Sequence, residues 1–241
     1  MLQKPTYLIG MSYLLLTSLF SDWFSLSSPL IVNTILIFVW SKLCKLHNDP
    51  SPKTTVFNIG LAIGATAFFY FPALIFILLA LFGLAIARPF KMTEWLMVFV
   101  GVSTPFYFFY SWLFLTNNYK LYHLPTATIS LPRFYQTKWA IVAIILVLIC
   151  LFLGFAFIQS NLRRQVVQSR KSWQLVYLYL VVAALIPFLS NSTGFNNWIL
   201  MAVPVSMIMA SSLFYPEKRW FPLSMHWAMV FVALAISYFF P

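Results

Sequence analysis

Acidic residues are nearly missing from this chain: there are four in 241, and charged residues of both signs make up only 8%. A soluble domain carries about 25% charged residues because its surface has to be solvated. A water-facing surface of this size is therefore excluded, and lipid must be the main solvent. Cysteine is equally scarce. Cys44 and Cys150 belong to no CxxC or Cys/His cluster, so neither a disulfide framework nor a metal site is expected. The three histidines, His47, His123 and His226, are scattered. No phosphate-binding glycine loop, dinucleotide fingerprint, nucleophile elbow or zinc-protease helix occurs, so no cofactor is expected. A cleavable leader is not expected either. The first apolar run, after Lys4, ends in Phe20-Ser-Asp-Trp-Phe24 rather than at a small-residue cleavage site, and it reads as a retained helix.

What the chain has instead is 62% hydrophobic residues, 26 of them Phe, and a net charge of +11. In a soluble protein that charge would suggest nucleic acid. Here the Lys and Arg residues fall between apolar runs, so they report membrane topology and no nucleic-acid partner is expected. A spanning helix needs about 20 mostly apolar residues. Candidate cores are Thr6–Phe20, Pro29–Leu43, Trp95–Leu115, Trp139–Ile158, Trp173–Leu189, Trp198–Phe214 and Leu223–Phe240. The uncharged stretch Thr54–Ala87 is too long for one span: at 1.5 Å per residue it would run about 51 Å against a hydrocarbon core of roughly 30 Å. Pro72 sits near its middle, which predicts a hairpin of two short helices, Val56–Phe71 and Ala73–Ala87.

The expected fold is thus all-α, a polytopic transmembrane helical bundle of about nine spans, some short or broken, in a single integral domain over 1–241. With the N-terminus cytoplasmic, Lys4, Lys42, Lys45, Lys53, Arg88, Lys91, Arg163, Arg164, Arg170, Lys171, Lys218 and Arg219 lie inside. Only Lys120, Arg133 and Lys138 lie outside, which the positive-inside rule favours. A single crossing by 54–87 would move every later loop to the other side and shrink the asymmetry. The C-terminus is then periplasmic, in a bacterial inner membrane. Eight of the nine tryptophans (all but Trp227) fall near predicted helix ends, where indole suits the headgroup interface.

Few residues offer chemistry. Asp49, Glu94 and Glu217 lie at cytoplasmic helix ends beside Lys or Arg and read as solvated ends, Glu94 favouring its helix dipole. Asp22 follows the first span on the outer side with no basic neighbour in sequence. It is either a headgroup-solvated end or a general base, or metal ligand, at an external cavity. The outer loop Thr116–Lys138 interleaves Lys120, His123, Arg133 and Lys138 with Tyr119, Tyr122, Phe134 and Tyr135. That pattern suits an anionic lipid phosphate or a partner protein, or simple interfacial anchoring. A second outer turn, Leu189–Asn197, is uncharged but rich in amides and hydroxyls; Asn191, Asn196 and Asn197 could bind sugar hydroxyls, or merely form a turn.

Several stretches carry a family resemblance: Ser28-Pro-Leu-Ile-Val-Asn-Thr-Ile-Leu, Val56-Phe-Asn-Ile-Gly-Leu-Ala-Ile-Gly, Phe69-Tyr-Phe-Pro-Ala, Arg88-Pro-Phe-Lys-Met-Thr-Glu-Trp-Leu, Gly101-Val-Ser-Thr-Pro-Phe and Phe195-Asn-Asn-Trp-Ile-Leu. Over most of its length the chain resembles a family of uncharacterised polytopic inner-membrane proteins of Bacteroidota. That resemblance implies an organism group and a membrane but no reaction. More distantly, the chain is similar to the membrane cores of polyprenyl-phosphate-sugar-dependent (GT-C type) glycosyltransferases. These place an acid in the first outer loop, where Asp22 falls, and can include short broken helices. The chain departs from them in its very short first outer loop, its lack of a second outer acid and its lack of a soluble acceptor domain.

The leading expectation is an accessory, non-catalytic subunit of a cell-envelope biogenesis complex, in contact with membrane lipids and other membrane subunits. The alternative is a GT-C-like transferase using a lipid-linked sugar, with Asp22 as base. A lipid or small-molecule transporter is a third reading, weakened because no internal repeat or charge inside a span is visible.

Overall fold

A computed structural model describes residues 7–117, 138–162, 165–189, 195–216, 218 and 220–239. Among these there are nine α-helices and no strand: α1 (Leu8–Ser18), α2 (Ser28–Lys45), α3 (Pro52–Phe69), α4 (Ile77–Ala87), α5 (Met92–Leu115), α6 (Lys138–Leu162), α7 (Val167–Leu185), α8 (Ala202–Phe214) and α9 (Trp220–Phe239). Five helical segments are long and apolar enough to cross a membrane: 28–48, 92–115, 140–162, 167–189 and 195–214. Residues 8–18, 71–87 and 220–236 form shorter apolar helices.

The chain breaks at Pro72 as its sequence predicts. α3 ends at Phe69, Tyr70 is extended (φ −154°, ψ 99°), and a 3-10 helix over Phe71–Phe76 leads into α4. Proline has no N–H to give and disfavours helical backbone at the residue before it. Here it occupies the first turn of the new helix, where no donor is missed. Pro105 has the opposite fate and lies inside α5 without ending it.

Small residues fix how the helices meet. A Cβ on Gly60 would come within 2.5 Å of the Val98 carbonyl, and a Cβ on Gly64 within 2.5 Å of the Val102 carbonyl. Four residues along α3 thus correspond to four residues along α5 in the same direction, so the two helices run parallel. Gly101 closes the contact from α5, where an added Cβ would strike the Phe57 carbonyl. Small residues spaced by four let backbones approach this closely in lipid. Because α3 and α5 are parallel, α4 has to run back between their ends.

Hydrogen bonds and packing define two ends of the bundle. At one end Lys171 Nζ donates to the Ala87 carbonyl (3.2 Å), His47 Nδ1 lies 3.2 Å from the same oxygen, and Arg88 donates to the Asp49 carbonyl. Gln165 also donates there to the Tyr215 hydroxyl (2.7 Å). Cations at a helix C-terminus suit its orphan carbonyls and its dipole, which explains why Ala87, the last residue of α4, collects two partners. Asp49 accepts hydrogen bonds from the Thr55 hydroxyl and the Ser51 amide, and these hold its carboxyl below the usual aspartate value. At the opposite end lie the turn 19–27, the break at 70–76 and residues 186–189 and 195–201. Lys42, Lys45, Lys53, Arg88, Lys91, Arg170, Lys171 and Lys218 all belong to the first end. Of the described basic residues only Lys138, which opens α6, belongs to the second.

α8 forms the centre of the bundle, with every residue from Ala202 to Ser212 buried. Its serines do not need outside partners. Ser206, Ser211 and Ser212 bond to carbonyls one turn back in their own helix, at 2.6–2.8 Å, which satisfies them where water is absent. Ser211 also reaches the Gly154 carbonyl on α6 (3.1 Å), at a second place where a Cβ would strike backbone, that of Ile208.

Three expectations are corrected. Glu94 is not a solvated helix end: it is 2% exposed, on the face of α5 that carries Val98 and Gly101, and its Oε2 has no hydrogen-bond partner. The close approach of α3 covers it, which the neighbouring Lys91 does not reveal. Trp23 and Trp173 are not headgroup anchors either, being 7% and 1% exposed within the bundle.

Gly101→Ile should separate α3 from α5, since overpacking a tight contact costs about 1–3 kcal/mol. Gly10→Ile should be harmless, because an added Cβ there meets nothing within 4 Å. Thermal unfolding in detergent compares them, and equal melting temperatures for the two variants would contradict the close packing.

Candidate functional site

The candidate site lies at the end opposite the basic cluster, where two short 3-10 helices meet. One, Ser21–Phe24, links α1 to α2; the other, Phe195–Met201, leads into α8. The Trp23 indole N–H donates to the Phe195 carbonyl (3.1 Å) across 172 residues of sequence. Around that bond the rings form a cluster. Phe20 lies 4.7 Å from both Trp23 and Phe195, Trp23 and Phe195 are stacked at 5.7 Å, and Phe195 and Trp198 at 5.9 Å. Such pairs add about 0.5–1.5 kcal/mol beyond the area they bury.

Beneath the cluster is a cavity of about 140 Å³ between α1, α6 and α8. Leu16, Phe20, Trp23 and Phe195 form one side, Trp198, Ala202 and Val205 another, and Ile144, Val147, Leu148 and Leu151 of α6 the third. The surface they present is almost wholly apolar.

Asp22 is exposed beside Trp23, and its backbone carbonyl accepts from the Ser25 hydroxyl (2.9 Å). Asn196 is half-buried, with an Oδ1 that has no hydrogen-bond partner, and Asn197 is buried. The fold thus brings Asp22 and the Asn196–Asn197 turn, which are remote in sequence, to one end of the bundle. Lys120, His123, Arg133 and Asn191 lie outside the described residues, as does the side chain of Lys138. Sequence reasoning missed Phe20, Trp23 and Phe195 as a unit. The available signal was the aromatic pairs in the turn after α1 and in the segment before α8, and only the Trp23–Phe195 bond shows that they pack together.

No three His, Cys, Asp or Glu side chains gather among the described residues. What the arrangement offers is an apolar cavity, suited to hydrocarbon rather than to a small polar metabolite, at the end of the bundle that also carries Asp22 and Asn196.

Residues 3–240 match the model of a family of unknown function, DUF6427, and the chain belongs to that family. No curated protein and no solved structure matches it.

Trp23→Phe keeps a ring in the cluster and removes only the donor to Phe195. Its cost should be about 0.5–1.5 kcal/mol, against about 3–5 kcal/mol for Trp23→Ala. Detergent thermal unfolding should rank parent, Phe and Ala in that order; an Ala variant as stable as the parent would show that the cluster does not hold this end together.

Proposed function

We propose that the protein is an integral inner-membrane component of about nine crossings that serves as an accessory, non-catalytic subunit in cell-envelope biogenesis. The observation that supports the membrane reading best is the sorting of charge, with eight described cations at one end of the bundle and only Lys138 at the other. In this reading the basic end is cytoplasmic, and the aromatic cluster faces the periplasm. The accessory role draws on the outward faces of α5 and α6, where Phe108, Trp112 and Phe152 are more than half exposed, offering area to lipid and to neighbouring subunits. Lys120, His123, Arg133 and Lys138 then contact lipid phosphate or a partner.

A second reading is favoured by one observation, the placement of Asp22 and Asn196 at the same end as the apolar cavity. It is a GT-C-like transferase in which Asp22 is the base and the cavity receives part of a lipid-linked sugar.

Single-cysteine variants in a Cys44→Ala, Cys150→Ala background test the topology. Lys53→Cys and Arg88→Cys should resist a membrane-impermeant thiol reagent in intact cells, while Lys120→Cys and Ser192→Cys should react. If Lys53 and Arg88 report opposite faces, the nine-crossing topology fails. The transferase reading requires that Asp22→Asn abolish sugar transfer while leaving expression and melting unchanged; if the variant supports envelope assembly as the parent does, the accessory reading stands.

A further inference from the structure

We propose that Lys171 and Arg88, gathered where α4 ends, form a binding site for a phosphate group at the basic end of the bundle. The phosphate belongs to an anionic lipid headgroup or to a soluble phosphate ester, which share this chemistry. The site goes beyond the accessory and transferase readings and depends on neither.

The first observation is convergence. Three parts of the chain meet at one peptide group. Lys171 Nζ and His47 Nδ1 each lie 3.2 Å from the Ala87 carbonyl oxygen, so they are no farther apart than twice that distance. Arg88, the next residue, turns its guanidinium to the Asp49 carbonyl (3.4 Å), two residues beyond His47. An ammonium, a guanidinium and an imidazole thus share one small patch.

The second observation is charge left over. The C-terminus of α4 supplies about half an elementary negative charge, so two cations leave roughly one and a half positive charges unmatched. Among the described residues no carboxylate forms an ion pair with Lys171 or Arg88. Asp49 lies beside them, but its carboxyl oxygens are taken by the Thr55 hydroxyl and the Ser51 amide, and it offers Arg88 only its backbone carbonyl. Glu94, the other described acid at this end, is buried. A phosphodiester brings one negative charge and a phosphate monoester about 1.5–2, which is the amount that capping α4 leaves unmatched.

The third observation is spare donors within reach. An ammonium carries three N–H groups and a guanidinium five, and the structure uses one of each. Phosphate oxygens accept from both, the guanidinium in a two-point fork. His47 still partners the Ala87 oxygen when Lys171 turns to the ligand. His47 is exposed, while Lys171 and Arg88 are half-buried. An anion therefore reaches the donors from water or from the headgroup layer, and there the attraction is screened less than at an open surface.

Two probes of the full-length protein separate the sources. In nanodiscs of equimolar glycerol and choline phospholipids with identical acyl chains, native mass spectrometry should find the anionic glycerol lipid retained about fivefold or more over the zwitterionic one. In neutral detergent without added lipid, glycerol 3-phosphate is titrated at constant ionic strength; a soluble ligand of this class should raise the melting temperature by about 2 °C or more. Either response supports the site, and which one appears identifies the source. Arg88→Gln with Lys171→Gln should abolish that response. Lys53→Gln with Lys91→Gln removes equal charge from exposed positions at the same end and should leave it intact. Should the first pair not fold, Arg88→Gln alone keeps both donors on Ala87 and should lower the response about threefold or more. The proposal is overturned if the parent responds to neither probe. It is equally overturned if the Lys53 and Lys91 pair lowers the response as much as the Arg88 substitutions do, because the overall charge of that end would then suffice.

Discussion

A backbone N–H or C=O that faces hydrocarbon must find its partner within the protein, and this constraint shapes the whole structure. It is why the described residues form helices, and why the breaks fall where other elements cover them or at the ends of the bundle. The Pro72 interruption is the clearest case. Its 3-10 turn lies against the segment that follows α7 and carries Phe76, which is fully buried edge-on to Tyr179. The buried serines of α8 obey the same rule by bonding to their own helix. Side chains follow the rule less strictly: Glu94 Oε2, Asn33 Oδ1 and the Trp173 indole N–H are among several buried polar atoms that have no hydrogen-bond partner.

Apolar residues drive the chain into lipid but do little to hold helices to one another there, since lipid tails are as apolar as Leu. Close approach and specific bonds do that work. On one side the glycines of α3 and α5 bring backbones together, and on the other Gly154 and Ser211 tie α6 to α8. Between them the Trp23–Phe195 bond and its ring cluster close the end opposite the basic one, while Ala87, Asp49 and their cationic donors close the basic end.

Much of the architecture could be read from residues alone. Thr54–Ala87 was too long and too uncharged for one crossing, and Pro72 placed the break to within three residues. Pro105 shows the limit of that logic, since a proline ends a helix only when its neighbours do not hold the flanking turns, and here Gly64 packs against its ring. Glu94 was misread for a related reason: sequence shows a charge next to Lys91 but not the helix laid over it. The candidate site was half legible. Asp22 and the Asn196–Asn197 turn each stood out, but their shared location depends on a bond spanning 172 residues, and no local pattern encodes a contact at that separation.

The parallel pairing of α3 and α5 also imposes an order on synthesis. The glycine face of α3 is complete once Phe69 has been added, but its partner surface extends to Pro105, 36 residues later. At about 5–20 residues per second that face waits roughly 2–7 s, with α2 and the antiparallel α4 already beside the helix. α3 is also not among the helices whose length and hydropathy suit independent crossing. The bundle therefore passes through a stage in which α3 packs on α2 while its glycine face is still without a partner. Substitutions at Gly101 therefore act at the last step of that packing, when the parallel face closes.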